Sequence, residues 1–261
     1  MNYGHAFAIA GKDMKEAFAS VAIYGPMLGI PLFFAFVLPA FTVYISQYAG
    51  PQLASRIFGA AAVSAPLQEK GLLFIRFFAL NVLGPIFLTM PIITASVLAA
   101  DSFAGEKERK TAESLLATPV TNSELFFGKI LASMLPAFVL TMLVFIIYAT
   151  VTNYFTLKTF GSAIFPNIDW YMMLLNAPLL SLTTIGLVVL VSSRVKGIKE
   201  AQQISALLAL PVFLMPFGVI LNIATLSPVF FVYMLAFLAL ACAAILKAGI
   251  LFFNREDFIS A

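Results

Sequence analysis

Site chemistry needs ionisable or nucleophilic side chains held close together, and this 261-residue sequence concentrates them in one run. Asp101–Glu124 reads DSFAGEKERKTAESLLATPVTNSE. It interleaves Glu106, Lys107, Glu108, Arg109, Lys110 and Glu113 with the apolar pair Leu115 and Leu116. Elsewhere the supply is thin. The single histidine is His5, and the single cysteine, Cys242, lies inside an apolar run. One histidine does not make a histidine metal site, and one cysteine forms no internal disulfide; Cys242 reads as a small buried hydrophobe. Neither an HExxH pattern nor a GxxxxGK[ST] phosphate loop is present: the nearest dipeptide, Gly128–Lys129, is followed by Ile130 and has no upstream glycine. The chain is therefore expected to have no catalytic residues, no metal site and no nucleotide site of its own.

The charged run has a local logic. Glu106 to Ala117 is rich in helix formers and stops before Pro119. Lys110 and Glu113 lie one turn apart, and Leu115 and Leu116 leave an apolar edge. Thr121 and Glu124 form a T-x-x-E capping box that opens the next helix. Composition alone leaves two readings open, a short amphipathic helix that passes force to neighbouring elements or a solvated connection. A smaller charged group, Arg194, Lys196, Lys199 and Glu200, follows a later apolar run.

The elements that must position these groups are membrane helices. The chain is 62% hydrophobic and 10% charged, whereas soluble domains carry about a quarter charged residues. Crossing a bilayer as a helix takes about 20 apolar residues. Six stretches qualify: residues 22–45, 77–100, 126–150, 171–191, 204–224 and 229–253, the last two separated by a short link that could be a turn or a re-entrant segment. No Asp or Glu falls within these predicted cores. That argues against an ion-coupled carrier or a membrane-embedded enzyme, both of which need ionisable groups at depth. Prolines recur through the spans, and Gly25 and Gly29 form a GxxxG pair suited to helix packing. Before the first span, Ala6–Ser20 mixes Lys12, Asp13, Lys15 and Glu16 with Phe7, Ile9, Met14 and Phe18, the pattern of an interfacial amphipathic helix.

The basic residues set an orientation. With the N-terminus inside, Lys12, Lys15, Lys107, Arg109, Lys110, Lys129, Arg194, Lys196, Lys199, Lys247 and Arg255 fall on the inner side. Only Arg56, Lys70, Arg76 and Lys158 fall outside. Both termini are expected to be cytoplasmic in a multi-pass protein of the cell membrane. Lys129, Lys247 and Arg76, near span ends, are expected to snorkel to water. Residues 151–170, rich in aromatic side chains, read as an outer loop lying on the membrane surface. A net charge of +3 gives no reason to expect nucleic acid among the partners, and membrane lipid is one by composition. One transmembrane domain is expected over 1–261, with 1–20 as the interfacial helix and 101–125 as the charged segment.

The run FAGEKERKTAESLLATPV followed by ELFFGKILA resembles the signature region of type-2 ABC exporter permeases. SSRVKGIKEAQQISALLALPV resembles that family's link from span four to span five, and FFNREDFI its usual C-terminal end. The resemblance implies an all-α membrane protein of six transmembrane helices. It also implies an N-terminal interfacial helix and a cytoplasmic coupling helix between helices two and three. It assigns the docking of a separate cytoplasmic ATP-binding subunit to Glu106, Lys107, Glu108, Arg109, Thr111, Glu113, Leu115, Leu116 and Pro119. Arg194, Lys196, Lys199 and Glu200 are read as a secondary contact. ATP and Mg would then be bound by that partner, and a second permease copy would complete the pathway, a homodimer being preferred to a heterodimer. The exported substrate, a hydrophobic compound, a drug or a cation, is left open. The 46–76 interval is short beside the large outer domain common in the sodium-exporting branch. The alternative reading is a non-transporting polytopic assembly or sensor protein.

Overall fold

The structure is a computed structural model that describes residues 3–58, 66–109, 120–192, 195, 197–207, 209–220 and 227–252. Every regular element among them is helical. Helix α1 covers Tyr3–Ala19 and α2 Val21–Tyr48, the latter running unbroken past Pro26, Pro31 and Pro39. After α3, Gly50–Phe58, the chain resumes with α4, Leu67–Phe78. A π-turn at Ala79–Leu83 leads into α5, Gly84–Phe87, and α6, Thr89–Ala100. A second π-turn at Asp101–Gly105 leads into α7, Glu106–Glu108. The remaining elements are α8, Asn122–Phe160; α9, Ile168–Ser192; α10, Ile198–Ala206; α11, Ala209–Ile220; and α12, Pro228–Phe252.

Among the described residues, six helical stretches are long and apolar enough to cross a membrane: Ile23–Tyr48, Leu67–Gly105, Ser123–Phe160, Ile168–Ser192, Ile198–Gly218 and Pro228–Ala248. Their number and order match the sequence reading, but two are much longer than it allowed. The second begins at Leu67, ten residues before the expected start, and so absorbs the end of the expected outer loop. The third continues to Phe160, so residues 151–160 are helix and not a surface loop. The physical reason is the lack of a breaker. After the expected end at Thr150 no glycine or proline occurs until Gly161. There the left-handed conformation (φ 68°) ends the helix as glycine readily does. At the other end the Thr121–Glu124 capping box forms in full. The Glu124 N–H donates to the Thr121 hydroxyl at 3.3 Å, and the Thr121 N–H donates to the Glu124 carboxylate at 3.0 Å. The GxxxG pair is also reinterpreted: a Cβ at Gly25 or Gly29 would meet nothing within 4 Å, so no helix among the described residues packs closely there. The link between the last two spans falls mostly outside the described residues.

The second span is the axis of the bundle. In its most apolar window 83% of residues are buried, against 17% for the sixth span and 28% for the first. Lipid tails are as apolar as leucine, so close packing and satisfied polar groups hold such a bundle together. The buried hydroxyls do satisfy themselves locally: Thr94, Thr141, Thr152, Ser181 and Thr184 each donate to a carbonyl four residues back. An aromatic cluster closes the end of the bundle near Gly161. Phe87 stacks on Tyr148 with centroids 4.2 Å apart, and Phe165 meets Tyr148 edge-on at 5.3 Å. Asn153 shapes the adjoining turn by accepting the N–H groups of Ile164 and Phe165, both at 3.0 Å.

Candidate functional site: a buried ionic joint

At the opposite end, α1 lies on the first turns of α8. Its contact stripe is Ala6, Ala10, Asp13 and Ala17, all buried, at the 4-3-4 spacing of one helix face. The approach is close because α8 presents Gly128: a Cβ there would sit 2.9 Å from the Ala6 carbonyl oxygen and 2.9 Å from Ile9 Cβ. A side chain at that position would push the two helices apart.

The next residue, Lys129, forms the centre of the site. It is 1% exposed. Its ammonium lies 2.7 Å from Glu106 Oε2 and 3.4 Å from Asp13 Oδ2. It donates to the Ser102 carbonyl and lies 5.4 Å from the centre of the Phe103 ring. The Ser102 hydroxyl donates to Asp13 Oδ2 at 2.7 Å. One cation thus joins α1, the second π-turn, α7 and α8. The expectation that Lys129 snorkels to water is corrected. Three buried oxygen-bearing residues surround its ammonium, so no route to solvent is needed.

Further charges brace the rim. Arg109 Nη1 lies 2.7 Å from Asp101 Oδ1. Between them is Gly105, where a Cβ would fall 2.9 Å from that oxygen, so the pair closes directly over a residue without a side chain. Lys12 reaches Glu16 at 3.4 Å, Asp13 at 3.8 Å and Glu106 at 4.0 Å. Burial pulls the Lys12 ammonium down, but these three carboxylates together outweigh it and raise its pKa. Arg109 is likewise raised, chiefly by its hydrogen bond to Asp101. A crevice of about 10 Å³, room for about one water, lies among Asp13, Glu16, Asp101, Ser102, Glu106 and Arg109. Among the described residues, no set of His, Cys, Asp and Glu side chains is placed to hold a metal ion.

Burial pushes the Glu106 carboxyl above the ordinary glutamate range, and Lys129 only partly opposes it. A carboxyl whose pKa is raised on folding contributes most to stability below its unfolded pKa. That contribution disappears as pH rises through the raised folded value. The melting-temperature difference between Glu106→Gln and the wild type should therefore shift in the variant's favour as pH rises from about 4 to about 9. Thermal unfolding of both proteins in detergent across this range checks it; a wild-type advantage that grows with pH would refute it.

The charged segment meets the later one through Glu108. Its Oε2 accepts the Ile198 N–H at 3.0 Å and so caps the start of α10. Gly197, extended at φ −167°, lets the carboxylate approach: a Cβ there would be 2.8 Å from that oxygen. Of the residues named from sequence, Glu106, Glu108 and Arg109 are thus placed in one connected cluster, with Lys107 in α7 between them. Lys199 and Glu200 lie exposed in the first turn of α10. Thr111, Glu113, Leu115, Leu116 and Pro119, with Arg194 and Lys196, lie outside the described residues. The sequence reading missed Asp13, Asp101, Ser102 and Lys129 as members of the site. Asp13 carried a legible signal, being the one carboxylate in an otherwise alanine stripe.

Comparison with known proteins agrees with this architecture. A family model described as ABC-2 family transporter protein matches residues 7–232. The ABC transporter permease protein NatB of Bacillus subtilis (strain 168) is 35% identical over 156 residues, which are 58% of this chain and 39% of that protein. The matched region therefore spans about two fifths of the length of this curated relative.

Proposed function

The chain belongs to the ABC-2 family of transporter proteins, and from that premise we propose that it is the membrane permease subunit of an ABC exporter. A separate cytoplasmic subunit binds and hydrolyses ATP with Mg, docking on the segment that begins at Glu106. The observation that carries this reading is the buried joint. Force delivered to the turn Glu106–Arg109 reaches α1 and α8 through Lys129, and α10 through Glu108. Glu106, Glu108 and Arg109 orient the dock, Leu115 and Leu116 anchor it, and Lys199 and Glu200 offer a second edge with Arg194 and Lys196. Both termini and the joint face the cytoplasm, a reading that the excess of basic residues on that side supports. α1 lies in the membrane interface with Phe7 and Phe18, both exposed in this chain, toward lipid. A second copy completes the pathway, its contact drawn from the exposed apolar faces of the first, fifth and sixth spans.

The test is co-purification of the chain with candidate ATP-binding subunits, followed by ATPase assays. The expected result is a stable complex that hydrolyses ATP, while the chain alone does not. Cysteines at positions 108 and 197 should react with an impermeant thiol reagent only after the membrane is opened. Labelling from outside would overturn the orientation. A chain that recruits no ATP-binding subunit would favour the non-transporting reading.

A further inference from the structure

The second span carries two π-turns, and each gives one backbone carbonyl to a side chain of α8. A π-turn adds a residue to the helical ladder and displaces its carbonyls from the usual pattern, a feature frequent at functional sites. At Ala79–Leu83, the Ala79 oxygen accepts the Gly84 N–H and the Tyr148 hydroxyl at 2.8 Å. The Asn81 amide donates to the Phe77 oxygen at 3.1 Å. At Asp101–Gly105, the Ser102 oxygen accepts the Lys129 ammonium. Both side chains are 1% exposed. They are 19 residues apart on α8, about 29 Å at the helical rise per residue.

The two rungs therefore tie the second and third spans together near opposite ends of one membrane crossing. Between the π-turns lies a piece, Gly84–Ala100, that includes Pro85 and Pro91. Span four presses on its first residue: a Cβ at Gly84 would sit 2.7 Å from Met173 Sδ. A displacement entering at the Lys129 rung has two outcomes. If the far end is free, the piece slides. If the far end is held, the displacement is passed through the Tyr148 rung to the aromatic cluster packed on that ring.

We propose that Tyr148 is a positioning residue for transport. Its hydroxyl holds the far π-turn in register, so that motion delivered at the ionic joint becomes motion at the opposite face of the membrane. This rests on the permease reading. The geometry favours a specific test, because the Tyr148 ring is packed by Phe87 and Phe165 independently of its hydroxyl. Tyr148→Phe removes the rung and keeps the stack.

The experiment uses the full chain in complex with its ATP-binding subunit, in nanodiscs, with Cys242→Ser as background. Spin labels are placed on two pairs of exposed positions: 67 with 154 at the far end, and 15 with 199 at the joint end. Distances are measured before and after trapping with Mg-ATP and vanadate. In the wild type both pairs should change. In Tyr148→Phe the joint-end change should persist, while the far-end change should fall to half or less, with the melting temperature kept within a few degrees. An undiminished far-end change would overturn the proposal. Equal loss at both ends would overturn it too, since Tyr148 would then serve stability alone. No change at either end of a wild-type complex would sink the permease reading, and this proposal with it.

Discussion

Lys129→Met should leave the chain unable to hold α1 on the bundle. The substitution keeps the bulk of the side chain but removes the cation that Asp13 and Glu106 share. Asp13 would retain the Ser102 hydroxyl and a long contact to the half-exposed Lys12, while Glu106 would lose the 2.7 Å ammonium and keep the 4.0 Å approach of Lys12. Removing one partner of a buried pair costs about 3–5 kcal/mol, because the remaining charge stays desolvated. That is a large share of the 5–15 kcal/mol that holds an ordinary domain together. The expected result is a fall of many degrees in apparent melting temperature and a broadened size-exclusion profile in detergent. The companion variant Lys129→Met/Asp13→Asn/Glu106→Gln removes all three charges and should recover most of the loss, as neutral replacements of buried ion clusters often do. A single variant that melts with the wild type would show that water or other groups carry the charge, and the joint would lose its mechanical meaning.

The second large effect concerns partner binding. Leu115→Asp/Leu116→Asp should abolish recovery of the ATP-binding subunit in pull-down while leaving membrane insertion intact. Two leucines filling a groove contribute roughly 3–6 kcal/mol before ordering costs. Binding energy concentrates in such anchors, with rim charges contributing less. Replacing them by aspartate removes this contribution and adds two charges to be desolvated. Lys107→Ala, a rim change, should reduce recovery only slightly. Normal recovery and coupled ATPase activity in the double variant would place the dock elsewhere on the chain.

The spans were legible because each carries an apolar run longer than a soluble core helix needs. Their ends were less so. Residues 151–160 are apolar enough for a span yet aromatic enough for an interface. Only the absence of any breaker before Gly161, weighed more heavily, would have favoured a continuous helix. The charged segment stood out in composition and spacing, although its proposed docking role came from the family resemblance alone, and the capping box at Thr121 fixed where α8 starts. The joint behind it was hidden for a different reason. Lys129 gains its meaning from Asp13, 116 residues away, and from Ser102 and Glu106 on another helix. Nothing local distinguishes it from a lysine that reaches solvent. Asp101 fell one residue past a predicted core, and the π-turns have no sequence period at all, since they record how one helix accommodates its neighbours.

The two long spans also set a relation between the protein and the thickness of its membrane. Span two carries no charge between Arg76 and Asp101, and span three none between Lys129 and Lys158. At the helical rise these intervals are about 38 and 44 Å, against a hydrocarbon layer of about 30 Å. Upright, both helices overshoot the acyl region and carry apolar residues into the headgroups; tilting reduces that overshoot. Because the rungs at Tyr148 and Lys129 bind the pair, the two helices must tilt together, and the angle they adopt depends on the lipid. A thin bilayer favours the leaning state and a thick one the upright state. The surrounding membrane thus acts as an elastic load on the same helices that link the joint to the far face.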